Sequence, residues 1–249
     1  MGETLSLVGA AGGAGTTRLT VEVGATLARA GRSVALLDAA YATQGLAQYV
    51  PGRVDPDVTA LATGEGPVES GLVDLPVETP GRLAACPALA PFERLARAKT
   101  PAAARRLEAL ASEAAASFDY VLVDTPPVAA NQAVAAVTAT DRVALVTPAS
   151  ERGADALGVL QDRLADLGAA GDVLLVNGTR GPSPVPDADV PIPRSEVTTP
   201  SNSPACLDPD PTFAPAVAAA AEAALDCSLD LDFPEEGGLD GYLPGPLGR

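Results

Sequence analysis

A glycine-rich turn, Gly9-Ala10-Ala11-Gly12-Gly13-Ala14-Gly15-Thr16-Thr17, stands between a short apolar run and a helix-forming stretch, and it contains no lysine. At a strand-to-helix junction, a turn of this composition lets consecutive backbone N–H groups and the positive end of the following helix converge on an anion. A lysine then bridges the terminal phosphates. Here the glycines are in place and the cation is absent. Lys99 is the single lysine among 249 residues, so no shift of alignment puts one in the turn, and Arg18 is the nearest base. A reading without ligand is also open, in which the glycines serve only close packing of strand against helix.

Short β-branched and leucine-rich runs recur at 4–8, 33–38, 120–124, 142–147 and 172–177, with a further strand candidate at 83–87. Between them lie alanine-rich stretches at 17–30, 101–117, 129–136, 154–167 and 214–225 that predict helices. This alternation predicts an α/β fold: a single doubly wound domain over 1–225, with a mostly parallel sheet and helices on both faces. Leu19, Val23, Leu27 and Ala30 recur at helical spacing and form one buried face, and Gly31 is placed to end that helix. The proline-rich stretch 181–211 predicts an extended surface excursion, and the acidic, glycine-rich residues 226–249 a loosely ordered tail.

Charge narrows the function classes. With 32 acidic against 16 basic residues the chain carries a formal −16, which argues against direct nucleic-acid binding. Self-repulsion on that scale weakens a compact state unless salt screens it, and at molar ionic strength the Debye length is ~3 Å. The balance therefore fits a halophilic, high-salt cytoplasm. There is no histidine, and Cys86, Cys206 and Cys227 are widely separated, so zinc-ligand spacing and Cys/His catalytic pairs are excluded and structural thiols are expected. No apolar run reaches the ~20 residues of a membrane span, and 226–240 is acidic where a membrane-surface helix needs basic residues. A cytoplasmic protein without direct membrane contact is the expectation.

Ala11-Gly12-Gly13-Ala14-Gly15-Thr16-Thr17-Arg18 aligns without a gap to the deviant Walker A motif K-G-G-x-G-K-T-[ST], and in this the chain resembles the ParA/MinD family of P-loop ATPases. Leu36-Leu37-Asp38-Ala39-Ala40 resembles that family's segment ending in D-x-D, and the run from Phe118 to Pro127 its Walker B and switch II. Val146-Thr147-Pro148, Leu175-Val176-Asn177 and Pro191-Ile192-Pro193 are similar to its later strand exits, Asn177 matching an adenine-reading asparagine. The resemblance covers residues 1 to about 225 in order. By it, Gly12, Gly13, Ala14, Gly15, Thr16, Thr17, Arg18 and Asn177 are candidate nucleotide contacts, Thr17 and Asp124 candidate Mg²⁺ ligands, and Mg-ATP or ADP the implied cofactor.

The departures fall on the chemistry. The family's signature lysine corresponds to Ala11, its Walker lysine to Thr16, the second aspartate of D-x-D to Ala40, and the glycine after the switch II proline to Val128. Phosphoryl transfer is catalysed almost entirely by positioning and electrostatics, and losing one such group costs ~3 kcal/mol, about a hundredfold in rate. The expectation is a catalytically impaired binding or regulatory protein with no catalytic residue of its own. It would serve intracellular spatial organisation (cell division, partition or positioning), as a homodimer or as a heterodimer with an active paralogue that supplies the lysines. Two alternatives stay open. One is a slow ATPase using Arg18 or a partner's residue as substitute cation. The other is an inactive nicotinamide-dinucleotide-binding module, suggested by Gly9, Gly13, Gly15 and Asp38 but lacking a Tyr-x-x-x-Lys pair, since Leu95 stands four residues before Lys99.

Overall fold

The computed structural model describes residues 1–181, 183–208 and 211–234. Eight strands form one sheet: β1 (Glu3–Gly9), β2 (Ser33–Asp38), β3 (Val73–Asp74), β4 (Arg82–Cys86), β5 (Tyr120–Thr125), β6 (Arg142–Pro148), β7 (Val173–Thr179) and β8 (Val190–Pro193). Their order is β3-β4-β2-β5-β1-β6-β7-β8, and only β3 runs antiparallel to its neighbour. Among the described residues the α-helices are α1 (Thr16–Arg29), α2 (Val58–Thr63), α3 (Phe92–Ala98), α4 (Pro101–Ala115), α5 (Asn131–Ala139), α6 (Glu151–Asp166) and α7 (Phe213–Leu225). This is the doubly wound architecture that the alternating pattern predicts.

Side-chain alternation along the strands feeds three apolar clusters. Leu5, Leu7, Leu36, Leu122 and Leu175 point to the face covered by α1 and α7. On the opposite face Leu37, Val121 and Val123 pack under α4, while Val8, Val143 and Leu145 pack with α5 and α6. Gly31 ends α1 as expected: its φ is +80°, and the amides of Gly31 and Arg32 return to the carbonyls of Ala28 and Leu27.

Helix α1 departs from the one-face expectation. Every residue from Leu19 to Ala28 is buried, because α7 and the proline-rich excursion cover the side that faces away from the sheet. Gly24 sets how closely the helix approaches the strands, since a Cβ there would lie 2.9 Å from both Leu36 Cδ2 and Leu83 Cδ1. Gly24→Val is expected to cost about 1–3 kcal/mol by overpacking, read as a lower urea midpoint with an unchanged m-value. A midpoint at or above the parent's would show that helix and sheet can move apart freely.

The excursion is more structured than its prolines suggest. Pro191 and Pro193 lie in β8, a strand paired on one side only, where a missing N–H is tolerated. A short 3₁₀ turn at Pro200–Asn202 packs against another at Leu46–Tyr49, and a further one at Ala205–Leu207 lays the chain over α1. The start of the expected tail is also in contact with the core: Cys227, Leu229 and Phe233 pack against it, and the Arg29 guanidinium lies 4.9 Å from the Phe233 ring centre. Residues 235–249 of that tail lie outside the described residues. Cys86 and Cys206 are buried free thiols and Cys227 is a half-buried one. Among the described residues no helix is long and apolar enough to cross a membrane.

Candidate functional site

The glycine turn leaves the end of β1 at the centre of the sheet and enters α1, so the site lies at the carboxyl ends of the strands, where open α/β sheets place ligands. Gly13 and Gly15 have φ of +80° and +86°, which only glycine adopts without strain. The amides of Gly12, Gly13 and Gly15 have no hydrogen-bond partner among the described residues, and Gly12 and Gly13 are exposed. The backbone thus offers unspent donors at the start of a helix.

The side chains around that cradle divide into two groups. On the β5 side, Thr17 Oγ1 donates to Asp124 Oδ2 at 2.6 Å, and Gly45 lies against Thr17 so closely that a Cβ there would come 3.2 Å from the hydroxyl. Asp38 sits beside Asp124 in the β2–β5 register, and both are buried. Asp38 Oδ1 accepts the Ala40 amide at 2.8 Å and Oδ2 the Ala88 amide at 3.1 Å. Burial, then the Asp124 charge, push Asp38 up to about 8. Burial pushes Asp124 up to about 6 against the opposing Thr17 hydroxyl. The set of candidate ligands that sequence alone supplies omits Asp38 and Gly45; the strand-end position of Asp38 is the signal that points to it.

On the β7–β8 side a cavity of about 400 Å³ is lined by Gly13, Gly15, Arg18, Asn177, Arg194 and Phe213 among others. Asn177 Nδ2 donates to the Ala14 carbonyl at 2.9 Å, and a Cβ on Gly15 would come 2.2 Å from the same nitrogen. Arg18 turns away from the glycine cradle. Its Nε meets Glu22 at 3.0 Å, its Nη2 donates to Ser195 Oγ at 3.1 Å and its Nη1 to the Val197 carbonyl, with the guanidinium 5.7 Å from the centre of the Phe213 ring. Glu22 is fully buried and also accepts the amides of Ala205 and Cys206.

At three of the four departures the geometry is equally definite. Thr16 folds back over the start of the turn, its hydroxyl 2.5 Å from where a Gly9 Cβ would be. Ala40 is buried in a turn whose carbonyl accepts from Thr43 and Gln44. Val128 is buried with Val8 and Ala10, and its carbonyl accepts from Arg163 Nη1 at 3.1 Å. The Gly12–Thr17 turn thus lies between two flanks, with Asp124 at Thr17 on one side and Asn177 at Ala14 on the other, while the Arg18 guanidinium is tied to Glu22, Ser195 and Val197 at the cavity wall.

A family model described as an AAA domain matches residues 2–167. The chain belongs to that family, in its ParA/MinD branch of P-loop proteins. No curated protein sequence matches this ParA/MinD-family chain. Among solved structures it is similar to the cell division ATPase MinD of Pyrococcus furiosus, at 22% identity over 90% of this chain and 98% of that one, with a TM-score of 0.72. It is also similar to MinD in the MinC:MinD complex of Aquifex aeolicus (22%, 94% and 100%, 0.71). A third is the septum site-determining protein MinD of Pyrococcus horikoshii OT3 complexed with Mg-ADP (19%, 78% and 82%, 0.63). At these identities the likeness carries the fold.

Proposed function

We propose that this ParA/MinD-family chain is a catalytically impaired nucleotide-binding protein that acts as a regulatory module in intracellular spatial organisation. The observation that carries the reading is the side chain at the Walker lysine position: Thr16 is short and folded over Gly9, and Arg18, the cation next to it in sequence, is held by Glu22, Ser195 and Val197. Binding needs less than catalysis does. The free amides of Gly12, Gly13 and Gly15 suit a phosphate, and Asn177 at the cavity wall suits a base.

The oxygen donors Thr17 and Asp124, already 2.6 Å apart, fit a hard cation such as Mg²⁺, which would neutralise phosphate charge when bound. Mg-ADP in the P. horikoshii MinD supports that cofactor, and the MinC:MinD complex supports a protein partner. We extend this to a homodimer, or a heterodimer with a lysine-bearing paralogue, in a high-salt cytoplasm.

The test is ATP hydrolysis by the purified full chain in molar salt, alongside thermal unfolding with Mg-ADP and Mg-ATP. Turnover is expected to stay at background while ligand at ~100 times its dissociation constant adds ~2.7 kcal/mol of stability. Asp124→Ala should reduce the Mg²⁺-dependent part of that gain. Steady Mg²⁺-dependent turnover lost in Asp124→Ala would instead make the chain a slow ATPase, and silence with both nucleotides would leave only a packing role for the turn.

A further inference from the structure

Two cations of this acidic chain stand together at one corner of the sheet. Thr179 of β7 and Pro193 of β8 are paired in register, and the residue that follows each is an arginine, so Arg180 and Arg194 leave the sheet side by side. The Arg194 amide donates to the Thr179 carbonyl at 3.3 Å, which fixes that neighbourhood. Both residues are exposed, and neither side chain has a hydrogen-bond or ion-pair partner among the described residues. Arg194 also lines the crevice cavity together with Ser195 and Thr198.

Their place decides what they can meet. From β1, which leads into the Gly12–Thr17 cradle, the order runs through β6 and β7 to β8. Three strand spacings of ~4.8 Å put the two ends about 14 Å apart. Arg194 thus leaves the sheet three strands from the cradle, at the opposite flank of the cavity that both line. Between the two ends the lining is apolar where a base would lie, with Leu19, Pro148, Val197 and Phe213. A cavity of about 400 Å³ has the size of a small-molecule site.

We propose that Arg194, with Arg180 beside it, forms a second anion site at the β8 end of the crevice, taking a nucleotide that carries a phosphate on its ribose besides its 5′-diphosphate. A planar guanidinium grips phosphate oxygens in a bidentate fork, and that geometry survives the salt that screens a bare point charge. The inference rests on the nucleotide-binding reading above and names which nucleotide that site prefers.

Calorimetric titration of the full chain at fixed molar salt with Mg²⁺ tests it, using ADP, its 2′- and 3′-phosphorylated derivatives, and inorganic phosphate alone. At least one derivative is expected to bind roughly tenfold more tightly than ADP, about 1.4 kcal/mol. Arg194→Ala and the Arg180→Ala/Arg194→Ala pair should erase that preference, bringing the derivative down to the affinity the same variant shows for ADP, with the unfolding midpoint unchanged. Inorganic phosphate alone should not bind at the same concentrations, since the ribose and base deliver the group. Equal affinity for all three nucleotides, a preference that persists in Arg194→Ala, or tight binding of free phosphate at this corner overturns the inference. ADP binding without preference overturns it alone, whereas silence with every nucleotide overturns it together with the reading it rests on.

Discussion

Replacing Glu22 by alanine is expected to remove roughly 3–5 kcal/mol of stability, a large share of the 5–15 kcal/mol typical of a domain. The carboxylate is fully buried inside α1, and three donors converge on it: Arg18 Nε at 3.0 Å, the Ala205 amide at 3.0 Å and the Cys206 amide at 2.8 Å. Truncation strands all three and leaves the Arg18 guanidinium, only 20% exposed, without its counter-ion. It also unties the 3₁₀ turn Ala205–Leu207 from α1, so the excursion that roofs the cavity loses its anchor. Urea unfolding of the two proteins at equal salt reads the effect. Glu22→Gln, which keeps the shape and one carbonyl acceptor, should fall between them, and Arg18→Ala should cost less than Glu22→Ala because that side chain can be replaced by water at its exposed edge. A loss below about 1 kcal/mol for Glu22→Ala would mean that the amides find other partners and that the ion pair does not hold the excursion down.

That residue also marks where sequence reading stops. The five predicted parallel strands and their helices were legible because β-branched runs bounded by alanine-rich stretches carry the two structural periods locally; Asp124 and Asn177 fall at strand ends, and Thr17 in the first turn of the helix after β1, in an order the chain itself displays. Helices α2 and α3 were not, being six and seven residues long, too short for a helical period to emerge. α6 begins at Glu151 rather than 154 because Ser150 caps it through the Gly153 amide, a side-chain signal that apolar spacing ignores. α5 likewise starts two residues beyond the expected 129, since Ala130 keeps an extended backbone after the prolines. Glu22 within an apolar helix, and Arg18 at its start, depend on donors and acceptors 177 to 184 residues downstream, and no local pattern encodes a partner at that distance.

Stability is expected to fall as pH rises from about 4 to about 8, the reverse of ordinary acid denaturation, because of Asp38 and Asp124. The two carboxyls are register neighbours and both are buried. Burial and then mutual repulsion raise Asp38 to about 8, opposed by the amides of Ala88 and Ala40, and burial raises Asp124 to about 6. In the unfolded chain both lose their protons near 3.9. Above that pH the native state holds protons that the unfolded state has released, so the full contribution is present below about 4 and declines until the folded pair has ionised near 8. The effect amounts to several kcal/mol, and molar salt leaves it largely intact because the pair is out of solvent. Half-buried Glu113 and exposed Asp119, whose carboxyls Arg106 and Ser33 hold below the usual range, act with the opposite sign but only below about pH 4 to 5, at the acid edge of this window. Asp124→Asn keeps a partner for Thr17 and removes the repulsion on Asp38, so it should flatten the decline and gain stability over the parent at pH 8 while losing that advantage at pH 5. Urea midpoints at unit pH steps, with chelator present, provide the measurement. A parent whose stability climbs over this range, or an Asp124→Asn variant with an undiminished slope, would show that the pair does not share its burial cost in the way its register implies.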